Sequence, residues 1–254
     1  MRLTGNTVLI TGGSSGIGYS LAKAFLDRGN CVIICGRSEE KLLAVQQAYP
    51  EIRIRVCDVS DDEDRRALCS WVTDHYPDLN VLINNAGIQR DIDFNRGADD
   101  LTAGPSEIDI NINGPVYLSA YLVPHLKTQK DSVIINNSSC LAFTPMARVP
   151  IYCATKAFLH NFTLSLRFQL HQSGIKVFEI LPPRVKTELN IAARRKMGYA
   201  DTGVDSDEFV SAVMGGLEND VLEIEYPEAI SVIHASRAEL DEMFMSINNM
   251  TFSW

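Results

Sequence analysis

A tyrosine and a lysine stand four residues apart in the segment IYCATKAFLH, at Tyr152 and Lys156. On a helix, this spacing places both side chains on one face. An ammonium group beside a phenol favours the phenolate and lowers the phenol pKa from its ordinary value of about 10. The pair therefore predicts a proton donor and acceptor that works near neutral pH. Such pairs also occur on many surface helices, so the prediction depends on where the helix lies.

A glycine cluster near the start of the chain, TGGSSGIG at 11–18, suits a different task. Gly12, Gly16 and Gly18 lie between an apolar run and a helical pattern, where missing side chains let backbone amides and a helix N-terminus approach a pyrophosphate. The spacing differs from the G-x-G-x-x-G fingerprint of many dinucleotide-binding proteins, and a glycine cluster can also be only a tight turn. The cluster alone leaves both interpretations open.

The end of the second apolar run bears on which nucleotide would bind. NAD-binding folds place an acidic residue there to hold the ribose hydroxyls, whereas an arginine accommodates the 2′-phosphate of NADP. This chain has Gly36, Arg37 and Ser38, with no carboxylate to repel a phosphate. The sequence favours NADP over NAD as the cofactor. In the alternative, Arg37 is a solvated residue and Ser38 caps the following helix.

The elements that must position these residues alternate along the chain. Apolar runs predict strands at 7–10, 31–35, 52–57, 80–84, 132–136, 175–181 and 221–226. Helical patterns lie near 21–28, 38–48, 61–76, 106–128, 152–172 and 235–250. Strands this apolar, separated by helices, predict an α/β fold: a doubly wound parallel sheet with helices on both faces. No repeat or linker interrupts the pattern, so we expect a single domain over residues 1–254.

The predicted sheet would bring the chemically interesting residues to one edge. Tyr152 and Lys156 open the helix after the fifth strand, and the carboxyl ends of parallel strands form the ligand-binding side of such sheets. The long segments 88–105 and 183–204 follow strand ends at that edge, so they are natural walls of a substrate pocket, the second as a lid. In the alternative they are surface loops without a role. Their arginines, Arg90, Arg194 and Arg195, either meet an anionic substrate or are solvated, and we favour solvation.

Together these motifs resemble the short-chain dehydrogenase/reductase family. The resemblance is carried by TGGSSGIG, NNAG at 84–87, Asn111, Ser139 and YCATK at 152–156, in this order, and covers about residues 3–190. It implies a single Rossmann-type domain with about seven strands. It also implies an NADP-dependent oxidoreductase that acts on CH–OH groups and interconverts an alcohol and a ketone or aldehyde by hydride transfer.

The resemblance implies roles for four catalytic residues. Tyr152 would be the general acid in carbonyl reduction and the general base in alcohol oxidation. Lys156 would hold the nicotinamide ribose and lower the tyrosine pKa, while Ser139 would hydrogen-bond the substrate oxygen. Asn111 would hold the water that links Lys156 to solvent. In the alternative, Asn111 is a helix-interior amide satisfied by the backbone.

The resemblance also implies a cofactor-binding set beside Tyr152, Lys156 and Arg37. Its members by contact are Gly12, Ser14, Ser15, Gly16, Ile17 and Gly18 for the phosphates, Asp58 and Val59 for the adenine, Asn85, Ala86 and Gly87 for the adenosine side, and Val185 and Thr187 for the nicotinamide carboxamide. Two positions depart from the family pattern, because Pro183 and Ala142 stand where glycine is usual. In its Pro182-Pro183 pair, the chain resembles a smaller set of oxidoreductases, some named for a lipoteichoic acid D-alanylation operon. Pro183 predicts that the loop beside the nicotinamide follows an altered path.

Composition restricts the partners. The chain has 254 residues, of which 46% are hydrophobic and 22% charged, with a net charge of -9. Such a chain is globular and has no general attraction to nucleic acid or anionic lipid. No apolar run is long enough for a membrane span, and strand residues begin almost at the N-terminus. We therefore expect a cytoplasmic protein that binds neither nucleic acid nor a membrane. The six cysteines have neither disulfide nor zinc spacing, so no metal is expected.

The helix at 152–172 carries more apolar surface than one sheet face can cover. Its two apolar stripes are Phe158, Phe162, Leu166 and Leu170, and Leu164 and Phe168. We expect a homodimer through this helix and the one near 114–128, unless C-terminal segments of the same chain cover it. Phe252 and Trp254 are also expected to be buried. Two alternatives to the dehydrogenase remain: an NADP(H)-binding regulatory or scaffold protein with little turnover, and a related reaction such as dehalogenation or epimerisation.

Overall fold

A computed structural model describes residues 1–196, 198 and 202–251. Its strands are β1 (Thr7–Thr11), β2 (Cys31–Gly36), β3 (Arg53–Val56), β4 (Leu79–Asn84), β5 (Val133–Asn137), β6 (Lys176–Leu181) and β7 (Glu223–Glu225). Its helices are α1 (Gly16–Leu26), α2 (Glu39–Ala48), α3 (Asp62–His75), α4 (Asp99–Thr102), α5 (Gly114–Leu126), α6 (Pro150–Leu170), α7 (Ile191–Lys196), α8 (Ser206–Glu218), α9 (Pro227–Ile233) and α10 (Arg237–Thr251). The expected burial of Phe252 and Trp254, and part of the expected lid at 183–204, lie outside the described residues.

The strands of the described chain form one parallel sheet in the order β3-β2-β1-β4-β5-β6-β7. This confirms the predicted α/β class and the Rossmann-type doubly wound sheet. The strand order reverses between β1 and β4, and a crevice opens at such a point beyond the carboxyl ends of the strands. Ile10 stands beside Ile83 in the register of these two strands. The loops that follow β1 and β4 therefore meet.

Alternating strand residues face two hydrophobic cores. Val8 and Ile10 belong to the core that includes Phe25 of α1 and Phe209 of α8. Leu9, between them, belongs to the opposite core, which is covered by α3, α5 and α6. Burial of one such side chain stabilises the folded state by about 1.5–3 kcal/mol. The two cores hold the strand ends, and with them the crevice, in fixed positions.

Two helical regions differ from the sequence-based expectation. The helix expected near 106–128 is helical from 107 to 126, but Asp109–Asn113 form a π-helical turn within it. The sequence analysis missed α8, in which two adjacent glycines weaken the local helical pattern. Phe209, Val213 and Leu217 of α8 are nevertheless buried at intervals of four residues. The Asp205 carboxylate caps this helix by accepting from the Asp207 N–H at 2.9 Å.

The six cysteines are free thiols. Within the described ranges, no helix is both long and apolar enough to cross a membrane.

Candidate active site

The loop after β1 and the first turn of α1 form one end of a cleft. Gly12 and Gly16 have φ angles of 66° and 52°, a left-handed backbone that favours glycine. A Cβ on Gly12 would stand 2.9 Å from the Ala86 Cα, and a Cβ on Gly18 would stand 2.4 Å from the Gly12 carbonyl oxygen. The loop is therefore packed directly against the segment after β4. The cleft is lined here also by Ser14, Ser15 and Ile17.

The segment after β4 is held by amide side chains. Asn85 donates through Nδ2 to the Thr11 carbonyl at 2.9 Å, and Asn137 donates through Nδ2 to the Asn85 Oδ1 at 2.8 Å. The Ala86 N–H donates to the Thr11 hydroxyl at 2.9 Å. These bonds join the segment to both neighbouring strands, β1 and β5. Asn85, Ala86 and Gly87 all line the cleft.

The ends of β2 and β3 form the far wall at the end of the cleft that contains the glycine loop. We call this end the nucleotide end. Arg37 is exposed and lines the cleft together with Asp58 and Val59. The Ser38 hydroxyl accepts from the Lys41 N–H at 3.3 Å and caps α2. The capping role expected for Ser38 is thus present, and it leaves Arg37 at the edge of the cleft.

Tyr152 and Lys156 lie in the first two turns of α6, on one face and at the cleft. Both are buried, with 6% and 5% of their surface exposed. The Lys156 Nζ lies 5.5 Å from the centroid of the Tyr152 ring and donates to the Asn137 carbonyl at 2.7 Å. The helix start and the end of β5 together fix the phenol and the ammonium group side by side.

Burial decides the ionisation of this pair. It raises the pKa of the Tyr152 phenol well above its ordinary value, and an interaction with Ser139 lowers that pKa by less. Burial also lowers the pKa of Lys156 to about 8, against the opposing charge of Glu179. The expectation of a lowered tyrosine pKa is therefore wrong in this structure. Most of the surface of each side chain is removed from water, and this desolvation favours the neutral form.

Ser139 and Asn111 are the other two residues that the sequence predicts to be catalytic. Ser139 is buried at the end of β5 and its hydroxyl accepts from the Leu141 N–H at 3.1 Å. Asn111, buried in the π-helical turn, donates through Nδ2 to the Ile88 carbonyl and accepts through Oδ1 from the Ile88 N–H, both at 2.9 Å. Its amide thus holds the backbone after β4, as in the backbone-satisfied alternative. The water-holding role of Asn111 stays a prediction.

Two arginines of the cleft walls are used to hold loops. The segments 88–105 and 183–204 both contribute residues to the cleft. Arg90 donates to three backbone carbonyls between residues 100 and 105. Arg194 donates to the carbonyls of Thr187 at 3.2 Å and Thr202 at 2.9 Å. The expected solvation of Arg90 and Arg194 is therefore wrong, since their guanidinium groups bind loop carbonyls, whereas Arg195 is exposed.

Side-chain bonds tie the walls to each other. Arg148 donates through Nε and Nη2 to the Asp91 Oδ2 at 2.8 and 2.6 Å, and Asn190 donates to the Asp91 Oδ1 at 3.1 Å. On the nucleotide side, the Lys41 ammonium pairs with the Glu188 carboxylate. We call the first group the Asp91 latch and the second the Lys41 latch. Both join the segment after β6 to another wall of the cleft.

The double proline after β6 leaves a defined path for the chain. The Pro182 carbonyl accepts from the Cys140 N–H at 3.1 Å, which ties the segment to the end of β5. Val185 then forms a short parallel bridge with Val204. Thr187 follows, and its Cγ2 would stand 3.0 Å from a Cβ on Gly16. Val185 and Thr187 thereby line the cleft opposite the glycine loop.

The end of the cleft beside Tyr152, which we call the substrate end, combines apolar and charged side chains. Its apolar residues are Leu141, Met146, Val149, Leu189 and Ile247, and Asp91 and Arg148 line the same cleft. Ile247 belongs to α10, which docks through Asn248: its Oδ1 accepts from the Ala147 N–H at 2.6 Å. The cleft as a whole has a volume of about 1170 Å³.

A family model described as short chain dehydrogenase matches residues 6–198. The chain belongs to the short-chain dehydrogenase family. It is 47% identical to the uncharacterized oxidoreductase DltE of Bacillus subtilis (strain 168), over 98% of both chains. This identity extends beyond the family model to the C-terminal part of the chain.

Solved structures of short-chain dehydrogenases share the fold. The structure from Burkholderia cenocepacia J2315 in complex with NADP has a TM-score of 0.82 and 25% identity, over 96% of this chain and 99% of that one. The structure from Burkholderia phymatum in complex with NAD has a TM-score of 0.82 and 18% identity, over 96% of both chains, and shows the fold alone. The chain thus shares the fold of these dehydrogenases as well as the sequence features of the family.

The residues of the cleft fit a nicotinamide dinucleotide of the kind bound in these two neighbouring structures. The glycine loop leaves no room for a Cβ at Gly18, so its backbone is bare at the start of α1, where a phosphate is favoured. Asn137 lines the cleft, and its Oδ1 is buried with no partner among the described residues. Exposed Arg37 lies at the end of β2. These three positions supply a phosphate cradle, a polar acceptor and a cation along one groove.

The sequence analysis missed several residues of this short-chain dehydrogenase site. Asn137, Asp91 and Arg148 carry no motif, because their importance comes from partners far away in the chain. Glu179 could have been found, since a carboxylate inside the apolar run KVFEIL must have a partner when that strand is buried. The same reasoning would have led to His160, which pairs with Glu179 at 2.9 Å.

Proposed function

We propose that the protein is an NADP-dependent oxidoreductase that interconverts an alcohol and a ketone or aldehyde, with Tyr152 as general acid and base. The observation that carries this proposal is the placement of Tyr152 and Lys156 side by side at the cleft, next to Ser139. The glycine loop at the other end of the cleft fits a dinucleotide. Membership of the short-chain dehydrogenase family supports the reaction class.

The proposed mechanism assigns one task to each side chain. The cofactor, when bound, supplies or accepts the hydride. In the reduction, the Tyr152 phenol gives its proton to the carbonyl oxygen, while the Ser139 hydroxyl donates a hydrogen bond to that oxygen as charge develops on it. The Lys156 ammonium stabilises the phenolate that remains. In the oxidation, the Tyr152 phenolate accepts the proton of the alcohol.

The proposed cofactor contacts follow the strand ends. Ser14, Ser15, Ile17 and the three loop glycines would hold the phosphates, Asp58 and Val59 the adenine, Asn85, Ala86 and Gly87 the adenosine side, and Val185 and Thr187 the carboxamide. Asn111 keeps the backbone at Ile88 in place. The substrate would carry an apolar group, because Arg90 and Arg194 are engaged by loop carbonyls while the side chains packed around Tyr152 are apolar.

Replacement of the tyrosine hydroxyl tests the mechanism. We expect Tyr152→Phe to lower kcat for reduction of an apolar ketone by NADPH by about 10²- to 10⁴-fold, because the proton donor is lost. NADPH affinity should change little. Tyr76→Phe, at a partly exposed tyrosine after α3 and outside the cleft, is the matched control and should keep wild-type rates.

Two outcomes would contradict the mechanism. Equal rates for Tyr152→Phe and wild type would remove Tyr152 as the acid. NADPH binding without turnover, over a panel of apolar and anionic carbonyl compounds, would favour a regulatory protein.

The preference for NADP rests on Arg37, which is exposed at the end of β2 without a neighbouring carboxylate in the motif Gly36-Arg37-Ser38. A charge-assisted contact to the 2′-phosphate is worth about 1.5–3 kcal/mol. We expect Arg37→Ser to weaken NADPH binding about tenfold or more and to leave NADH binding unchanged. Arg28→Ser removes an exposed charge elsewhere and serves as the control. Equal losses for both cofactors would contradict the proposed role of Arg37.

We also propose that α5 and α6 form a homodimer interface. Phe168 is 86% exposed, and Phe158, Leu164 and Tyr117 are 41%, 40% and 43% exposed. The described C-terminal residues thus leave this face uncovered, and apolar patches of this kind mark contact surfaces. Sedimentation analysis should show a dimer that Phe168→Glu dissociates and Leu43→Glu, at an exposed leucine of α2, does not. A monomeric wild-type protein would overturn the proposal.

A further inference from the structure

A carboxylate is buried directly behind the proposed active site. Glu179 lies on β6 and is fully buried. One of its oxygens accepts from the Ser138 hydroxyl at 2.5 Å, and the other lies 2.9 Å from the His160 Nδ1. A buried charge persists only with such partners, since desolvation of an unpaired carboxylate is costly. The three residues form a hydrogen-bonded chain that the proposed mechanism does not use.

This chain is connected to Lys156 through two elements. His160 follows Lys156 by one turn on α6, as Lys156 follows Tyr152, so the three side chains share a face. Glu179 stands beside Asn136 in the strand register, and Lys156 donates to the carbonyl of the next residue, Asn137. The carboxylate and the ammonium group therefore lie on the same side of β5 and β6, behind the cleft.

We propose that Glu179, held by Ser138 and His160, is a positioning residue whose negative charge keeps the Lys156 ammonium protonated at alkaline pH. The inference rests on the proposed function, in which that ammonium stabilises the Tyr152 phenolate. The imidazole serves this purpose because its neutral form still donates a hydrogen bond at Nδ1. The pair then keeps one negative charge. A cation in place of His160 would cancel it.

The pKa shifts agree with this arrangement. Burial lowers the pKa of Lys156 to about 8, and Glu179 is the charge that raises it. The hydrogen bond to Glu179 raises the pKa of His160 above its ordinary value. At lower pH the imidazole gains a proton and the pair becomes neutral overall. The effect of Glu179 on Lys156 is therefore expected above the pKa of His160.

Other titratable groups lie near this chain. Glu223 of β7 raises the pKa of His160 and Arg167 of α6 lowers it, and these two side chains pair with each other at 2.9 Å. Glu107 acts on Tyr152, and burial raises the pKa of this carboxyl to about 7. These groups are unchanged in the variants of Glu179 and His160 below, so their contributions are common to all profiles.

Two measurements test the inference. NMR titration of ¹³C-labelled lysine, with Lys156→Arg to assign the signal, gives the pKa of Lys156 directly. The pH dependence of kcat/KM for carbonyl reduction at saturating NADPH gives the catalytic consequence. For wild type we expect a titration near pH 8 and a rate that falls as pH rises through that value, because the ammonium form exists below its pKa.

Matched substitutions separate charge from shape. Glu179→Gln keeps the shape and removes the charge, so both midpoints should move down by about one pH unit. Glu179→Asp keeps the charge, and its midpoints should stay near wild type even if its melting temperature falls. Glu223→Gln removes a neighbouring carboxylate and should leave both midpoints in place.

Substitutions of His160 test the same charge from the other side. His160→Lys places a permanent cation on Glu179 and should lower both midpoints as Glu179→Gln does. His160→Gln keeps a neutral hydrogen-bond donor and should leave them in place. His160 is partly exposed, so this pair of variants decides the question if Glu179→Gln does not fold.

The outcomes are distinct from those of the proposed function. A Lys156 titration or a rate profile that is unmoved in both charge-changing variants overturns the inference. Equal midpoint shifts in Glu179→Gln and Glu179→Asp would also overturn it, because they would show a purely structural role. Wild-type activity of Tyr152→Phe would instead overturn the proposed function, while the NMR titration would still report on Glu179 and Lys156.

Discussion

The contacts within the nucleotide end of the cleft differ in kind from the contacts within its substrate end. At the nucleotide end, backbone meets backbone: the site of a Cβ on Gly18 is 2.4 Å from the Gly12 carbonyl oxygen, and Asn85 ties both strands together. At the substrate end, loops meet through partly exposed side chains. The Asp91 and Arg148 side chains of the Asp91 latch are 30% and 26% exposed.

This difference separates stability from adaptability. Closely packed backbone contacts, such as those around Gly18, open less readily than loops joined by partly exposed side chains. We therefore expect the substrate walls to change shape more readily than the nucleotide end. The following predictions test this division, beginning with the largest expected effect.

A single methyl group should disrupt the nucleotide end. Gly18→Ala places a Cβ against the Gly12 carbonyl, so we expect a loss of about 2–3 kcal/mol in the free energy of unfolding. NADPH binding should weaken as well, because the loop must move. Urea unfolding and a fluorescence titration with NADPH measure the two effects.

The control for this substitution is another helical glycine. Gly215 in α8 has nothing within 4 Å of the position of its Cβ. Gly215→Ala should therefore raise the free energy of unfolding by up to about 1 kcal/mol, since alanine is the better helix former. If Gly18→Ala were as well tolerated as Gly215→Ala, the nucleotide end would not be the rigid part.

Opening the Asp91 latch should affect substrate and not nucleotide. Asp91→Asn removes the charge that holds Arg148, and a partly exposed ion pair is worth about 1 kcal/mol. We expect KM for the carbonyl substrate to rise about fivefold, with NADPH affinity and stability nearly unchanged. Asp99→Asn makes the same charge change at an exposed position of the same wall and should have no effect. An equal loss of NADPH affinity would contradict the division.

The Lys41 latch should have the smallest effect. Its lysine and glutamate side chains are 51% and 62% exposed, so the pair is worth less than about 0.5 kcal/mol. Glu188→Gln frees Lys41 and should strengthen NADPH binding by about twofold at most, and the gain should vanish at high salt. A tenfold change would place this latch with the nucleotide end.

The same division decides what could be predicted from the sequence. The strand ends were predictable, since apolar runs followed by Gly12 or Asn85 define both the strands and the edge where they finish. The spacing of Tyr152 and Lys156 places them on one helix face in any fold. These features depend on residues close in the sequence, and local rules describe them.

The two segments that form the substrate walls were predicted, but the contacts that hold these walls were not predictable by the same rules. Arg90 and Arg194 bind backbone carbonyls, and carbonyls carry no signature of residue type. The sign of the Tyr152 pKa shift depends on burial, which no spacing reveals. The π-helical turn around Asn111 is also hidden, because the residues DININ fit an ordinary helix as well.

That turn gives the site an unusual sensitivity to chain length. Asn111 reaches both backbone groups of Ile88 from a π-helical turn, in which the helix holds an extra residue relative to an α-helix. Loss of one codon within 109–113 would restore a regular helix and rotate the preceding residues by about 100° relative to those that follow. Every side chain named in the cleft could then be present while the wall after β4 had lost its anchor. Among natural variants of this chain, a length difference in that turn would be more informative than most substitutions.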